Sequence, residues 1–169
     1  MTPKVAIIMG SKSDQEKMEK VTSMLEDLEI PYSVDIYSAH RTPNQLSELI
    51  KYINKTDEYK VVIAGAGMSA ALPGVIKSQT NKPVIGLPLS GGNNTDDMAA
   101  ILSVLQMPPG ISVACVGLNA GKNAALLAAD ILAIQDADVA KKLADFREAQ
   151  KNAVLNAEVS FEKEAFRCS

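Results

Sequence analysis

Short, β-branched apolar runs alternate along this chain with longer segments in which apolar positions recur at helical spacing. The runs are Val5 to Met9, Val34 to Tyr37, Val61 to Ala64, Val84 to Leu87 and Val113 to Val116. Near-continuous apolarity over so few residues is the pattern of strands covered on both faces. Between them, Asp14 to Leu28, Pro43 to Asn54, Ala70 to Gln79 and Asp96 to Leu105 read as helices, and Lys122 to Ala133 follows the last run as another. The alternation predicts right-handed βαβ units, hence an α/β fold with a five-stranded parallel sheet and helices on both sides. Residues 136–157 add an extra C-terminal helix, with Val139, Leu143, Phe146, Gln150 and Val154 at helical spacing. Two surfaces are open to it, its own domain or a neighbouring subunit.

Composition narrows the class. At 169 residues the chain is expected to be a single domain, 1–169, large enough to bury a core. It is 47% hydrophobic with a net charge of -3, so it carries no basic footprint for nucleic acid. The apolar run after Met1-Thr2-Pro3-Lys4 is too short for a signal sequence or a membrane span, and the expected location is cytoplasmic. Of the two cysteines, Cys115 falls in a strand-like run and Cys168 is next to last, a spacing that suggests neither a disulfide frame nor a metal site. With a single histidine and no cysteine cluster, no transition-metal site is expected.

That single histidine, His40, lies in Ser38-Ala39-His40-Arg41-Thr42-Pro43, at a strand-to-helix switch. Thr42 is placed to cap the following helix, and Pro43 suits its first turn because the N–H it lacks would be unpaired there. An imidazole that titrates near neutrality, a guanidinium that forks onto phosphate and the Ser38 hydroxyl suit an anionic substrate needing proton transfer. A surface-loop histidine without a role is the plainer alternative.

In a parallel sheet, ligands bind outside the carboxyl ends of the strands, so the other loops there matter. Gly10-Ser11-Lys12-Ser13-Asp14 offers a glycine turn, two hydroxyls and a helix N-terminus to an anion. Ser13 and Glu16 also form a capping-box pattern, which gives Ser13 a structural explanation. Asp14 would repel a phosphate and is better suited to accepting hydrogen bonds from sugar hydroxyls. Gly65-Ala66-Gly67-Met68-Ser69-Ala70 partly matches a dinucleotide fingerprint, but Gly86, Leu87 and Pro88 stand where that fingerprint needs an acidic residue. A nicotinamide cofactor is therefore not expected. With no Trp and 4% aromatic residues, neither is a flavin. Ser90 to Asp97 is glycine- and asparagine-rich, either a mobile flap or a solvent-exposed turn. Lys122 is placed to hold phosphate, with an ordinary solvated lysine the plainer reading.

Together these loops resemble one family. Gly10-Ser11-Lys12-Ser13-Asp14, Ser38-Ala39-His40-Arg41-Thr42-Pro43, Ala64-Gly65-Ala66-Gly67, Leu72-Pro73-Gly74 and Gln106-Met107-Pro108 are similar, in order and spacing over almost the whole chain, to the motifs of N5-carboxyaminoimidazole ribonucleotide mutase, the PurE family of purine biosynthesis. The resemblance implies a flavodoxin-like three-layer sandwich, often assembled as a homo-octamer in which the terminal helix reaches neighbouring subunits. It implies no metal and no organic cofactor. The implied reaction moves a carboxylate from the exocyclic nitrogen of an aminoimidazole ribonucleotide to ring carbon 4. His40 matches the catalytic histidine, Ser11, Asp14 and Arg41 match substrate contacts, and Ser38 matches a contact near the phosphate. Ser13, Gly67 and Leu72 complete the expected substrate site.

Three positions depart from the mutase pattern: Ala71 stands at the family's second histidine, Gln15 at its usual tryptophan, and the sequence of Ser90 to Asp97 differs. Met68-Ser69-Ala70-Ala71 leans toward the second PurE class, which carboxylates aminoimidazole ribonucleotide directly with carbon dioxide. Arg41-Thr42-Pro43 leans back toward the mutase. A non-catalytic nucleotide-binding module is the alternative from another class.

Overall fold

The computed structural model describes residues 2–157, so Cys168 and the end of the expected domain lie outside the described residues. In chain order the elements are β1 (Val5–Met9), a single 3-10 turn (Lys12–Asp14), α1 (Gln15–Asp27), β2 (Tyr32–Ile36), α2 (Pro43–Lys55), β3 (Val61–Gly67), α3 (Leu72–Lys77), β4 (Val84–Leu89), α4 (Asn94–Leu105), β5 (Val113–Cys115), α5 (Gly121–Ala133) and α6 (Ala137–Leu155). The five strands form one parallel sheet in the order β2-β1-β3-β4-β5, the doubly wound arrangement of flavodoxin-like folds.

Strand alternation divides the core in two. Val5, Ile7 and Met9 of β1, with Val61 and Ile63 of β3 and Ile85, Leu87 and Leu89 of β4, meet α1, α5 and the start of α6 on one face. Ala6, Ile8, Val62, Ala64, Ala66 and Val84 meet α2, α3 and α4 on the other. This gives the three layers.

The two outer strands are less covered than their apolar sequences suggest. Val34 and Ile36 of β2 are 43% and 45% exposed, and β5 is only partly buried, because each lies at a sheet edge. Pairing, more than apolarity, sets where strands begin and end. β2 starts at Tyr32, which pairs with Val5, and stops before Tyr37. β3 runs past Ala64 to Gly67, since Gly65, Ala66 and Gly67 pair with Leu87, Pro88 and Leu89. Part of the expected glycine loop is therefore strand.

Local polar groups fix several boundaries in ways that differ from expectation. The Ser13–Glu16 capping box does not form; Ser11 Oγ instead accepts from Ser13 N at 3.3 Å and caps the 3-10 turn. The Thr42 hydroxyl does not cap α2 but turns back, accepting from Ser38 N at 2.9 Å and donating to Ser38 O at 3.2 Å. Pro43 does occupy the first turn of α2. α3 is shorter than expected because Met68 to Ala71 coil tightly, with Ala71 N donating to Ser69 O at 2.7 Å and Met68 at a φ of 52°. α4 is capped by Asn93, whose Oδ1 accepts from Asp96 N at 3.0 Å.

Helix α5 begins at Gly121, where α1 leaves no room for a side chain. A Cβ there would lie 2.9 Å from Lys20 Cβ and 3.2 Å from the Val21 nitrogen. Of the two surfaces expected for the terminal helix, its own domain receives the first part. That part docks on this chain through buried Val139 and Leu143 and half-buried Phe146, each fully buried apolar side chain being worth about 1.5–3 kcal/mol. Asp136 caps it and pairs with Lys4, while Lys142 meets Glu29 at 2.7 Å. Beyond Phe146 it projects, leaving Val154 and Leu155 75% and 70% exposed. No helix among the described residues is long and apolar enough to cross a membrane.

Candidate functional site

At the carboxyl ends of β1 to β4 the loops enclose a cleft of about 740 Å³. It lies where the strand order reverses, as ligand sites in such sheets do. Ser11, Ser13, Asp14, Ser38, His40, Arg41, Gly67 and Leu72 all line it, so the structure brings together every residue expected at the site.

Each is positioned by an identifiable local cause. The turn after β1 carries Ser11 and Ser13, whose hydroxyls lie 3.0 Å apart and form one cluster of donors and acceptors. In the loop after β2, Ser38 Oγ accepts from Arg41 N at 3.2 Å, and Arg41 Nη2 donates to Gly10 O at 3.1 Å. Arg41 thus spans from one loop to the other and sets its guanidinium beside the Ser11 turn. Those bonds, with the Thr42 hydroxyl, hold the loop's backbone and leave the His40 ring exposed at the cleft without a partner among the described residues.

Gly67 ends β3 against β4. A Cβ there would stand 2.9 Å from the Leu89 carbonyl oxygen, so only glycine permits the approach that lets the cleft floor close. Leu72 is buried beneath the site, and Ala71 presents a methyl group to the cleft. Burial pushes the Asp14 carboxyl above the usual carboxylate range, opposed by Lys17, by the Ser11 backbone and by Arg41.

Sequence reasoning missed Lys17, whereas Ser90 falls in the segment Ser90 to Asp97 that it had singled out. Lys17 sits three residues after Asp14, a spacing that puts both on one helix face and was available as a signal. Ser90 also lines the cleft, and of the two expected alternatives the segment after it is the solvent-exposed turn: Gly91 to Asn93 are exposed, with Gly91 N donating to Asp97 Oδ1 at 2.9 Å and Gly92 N to Ser90 Oγ at 3.1 Å. Only Ser90 and Gly91 of this segment reach the cleft. Among the described residues no group of three or more His, Cys, Asp or Glu is placed to hold a metal ion.

A family model described as AIR carboxylase matches residues 4–153. The chain belongs to the AIR carboxylase family. Within it, the chain is 45% identical over 163 residues to an N5-carboxyaminoimidazole ribonucleotide mutase of Methanocaldococcus jannaschii, covering 96% of this chain and 99% of that one. It is 41% identical over 162 residues to a phosphoribosylaminoimidazole carboxylase of Candida glabrata, covering 95% of this chain and 28% of that relative. Among solved structures, that of Treponema denticola PurE superposes with a TM-score of 0.84 at 35% identity, covering 90% of this chain and 94% of the other. The AIR carboxylase family thus accounts for the five-stranded fold and for the loops that build the cleft.

Proposed function

We propose that this protein is an N5-carboxyaminoimidazole ribonucleotide mutase, an isomerase of purine biosynthesis that moves a carboxylate from the exocyclic nitrogen to ring carbon 4. The observation that carries the reading is the placement of an unpartnered imidazole, His40, in one cleft with Ser11, Asp14 and Arg41. Arg41 pairs with the substrate phosphate, assisted by the Ser11, Ser13 and Ser38 hydroxyls, because a guanidinium matches phosphate in charge and geometry. Asp14 accepts from the ribose hydroxyls. Gly67 and Leu72 form the floor beneath the base.

His40 then moves the one proton the reaction requires. Protonated His40 gives its proton to the exocyclic nitrogen as the nitrogen–carboxyl bond breaks, releasing carbon dioxide within the cleft. The enamine-like ring carbon attacks the carbon dioxide, forming the new carbon–carbon bond. Neutral His40 takes the proton from that carbon, which restores the aromatic ring and returns the imidazole to its starting state. One group serves as acid and base because the two transfers are sequential, and the Ser90 side of the cleft helps retain the gas.

Direct carboxylation of aminoimidazole ribonucleotide is the second reading, favoured by Ala71 at the cleft where the mutase motif has a histidine. Supplying one preparation with the N-carboxylated ribonucleotide, and separately with aminoimidazole ribonucleotide plus bicarbonate, distinguishes them. Rapid turnover of the first substrate alone is expected; product from the second alone would reverse the assignment.

A cytoplasmic homo-octamer is part of the same proposal. Its support is the projecting end of α6 and the exposed Met98, Leu102 and Leu105, which recur at helical spacing along α4.

A further inference from the structure

We propose that Lys17 is a positioning residue, its ammonium tying the turn after β4 to α1 and holding that turn at the cleft beside Asp14. The inference rests on reading this cleft as the substrate site. Lys17 Nζ donates to the Ser90 carbonyl at 2.5 Å. Against the other side of the same residue, Asn119 Oδ1 accepts the Ser90 N–H at 3.0 Å. Asn119 itself is fixed, with a φ of 53° and its own N–H donated to the Pro88 carbonyl at 2.9 Å. Both backbone polar groups of Ser90 are therefore claimed from outside the turn, one by the loop before α5 and the other by α1.

Within the turn there is little slack. A Cβ at Gly91 would lie 2.5 Å from Asp96 Cβ, and the Gly91 and Gly92 N–H groups are both engaged. The Lys17 bond is a charge-assisted one, stronger than the neutral bonds around it, and it is the only side-chain hydrogen bond from α1 to this turn among the described residues. The same ammonium has a second effect. The charged groups facing Asp14 are Lys17 from the first turn of α1, the helix that Asp14 precedes, and Arg41 from the loop after β2, and both favour its ionised form against burial. One side chain thus fixes the Ser90 turn at the cleft and supports the charge of the Asp14 carboxylate.

Lys17→Met and Lys17→Arg, made in the full chain, test this. In Lys17→Met, amide exchange of residues 90–92 should quicken about tenfold, the effect of losing one hydrogen bond to a charged group. KM for the N-carboxylated ribonucleotide should rise about tenfold with kcat nearly kept. The acid limb of the kcat/KM profile should move to higher pH as Asp14 loses its neighbouring cation, and Lys17→Arg should restore all three. Unchanged exchange at residues 90–92 would overturn the proposal, as would exchange quickened equally through β1 and β3. An unshifted acid limb would reduce Lys17 to a structural tie and overturn the link to Asp14. If the unmodified chain turns over neither substrate, the reading of the site fails, while the exchange measurement still decides the tie.

Discussion

Two clefts of similar size lie at opposite ends of the sheet, about 740 Å³ at the carboxyl ends and about 800 Å³ at the amino ends. In the amino-end cleft most polar side chains are bonded within the chain, although Asn81 and Ser112 have no side-chain partner among the described residues. Thr80 donates to Asn54 Oδ1 at 2.5 Å, Asn54 donates to Gln79 O at 2.7 Å, and Lys82 spreads its ammonium over the carbonyls of Thr56 and Tyr59 at 3.1 and 2.6 Å. At the carboxyl end the backbone is equally well bonded, yet the His40 ring and the Ser11–Ser13 hydroxyl cluster face the opening with capacity left over. Volume does not separate the two. The kind of group left free does: at the carboxyl end it includes an imidazole, which can give and take a proton, whereas the unpaired Asn81 and Ser112 at the amino end carry an amide and a hydroxyl, which do not titrate near neutrality.

The largest expected effect lies at the carboxyl end. His40→Asn should lower kcat by about 10²- to 10⁴-fold, the usual worth of a general acid–base, with the ligand dissociation constant nearly unchanged. Steady-state kinetics with a titration of the phosphorylated ligand would show it, and retained turnover would end the single-histidine mechanism.

Asp14→Asn sharpens the contrast in a second way. Ligand binding should weaken about tenfold, the cost of losing a charged acceptor. Stability should move the other way at neutral pH. Burial raises the folded-state pKa of Asp14, so its ionisation above that value favours the unfolded chain, whereas in acid both states are protonated and the penalty disappears. The substitution should therefore raise the urea midpoint at neutral pH and lose that gain as the pH falls below the ordinary carboxylate range.

The smallest effect belongs to the amino end. Thr80→Val removes the donor to Asn54 and the acceptor of Lys82 N at 3.1 Å. It should cost about 1 kcal/mol, or roughly 2–4 °C in Tm, and leave kcat and KM as they were. A change in turnover would show that the two ends are coupled.

The strands and helices of this chain were legible because their apolar patterns are strong. Val5 to Met9 and Val61 to Ala64 could hardly be anything but buried strands. Their ends were less legible, since the pairing of Gly67 with Leu89 and of Tyr32 with Val5 depends on a neighbouring strand that no local window contains. Caps failed for a related reason: Ser13 and Thr42 carry the right side chains, but Ser11 and Ser38 lay closer in space and took their hydrogen bonds. At the site, His40 and Arg41 stood out as types with chemistry in a motif. Lys17 did not, because its importance comes from a carbonyl 73 residues away along the chain.

The contact at Gly121 reaches further than its place in the core suggests. Where α5 begins, a single hydrogen atom is all that separates it from Lys20 and Val21 of α1, and α1 carries Lys17 and is entered directly from Asp14. A methyl group added there would shoulder that helix outward and carry Asp14, the proposed sugar contact, with it. The resulting lesion would surface in the laboratory as poor substrate affinity in a protein that still folds, caused by a residue that never meets the substrate.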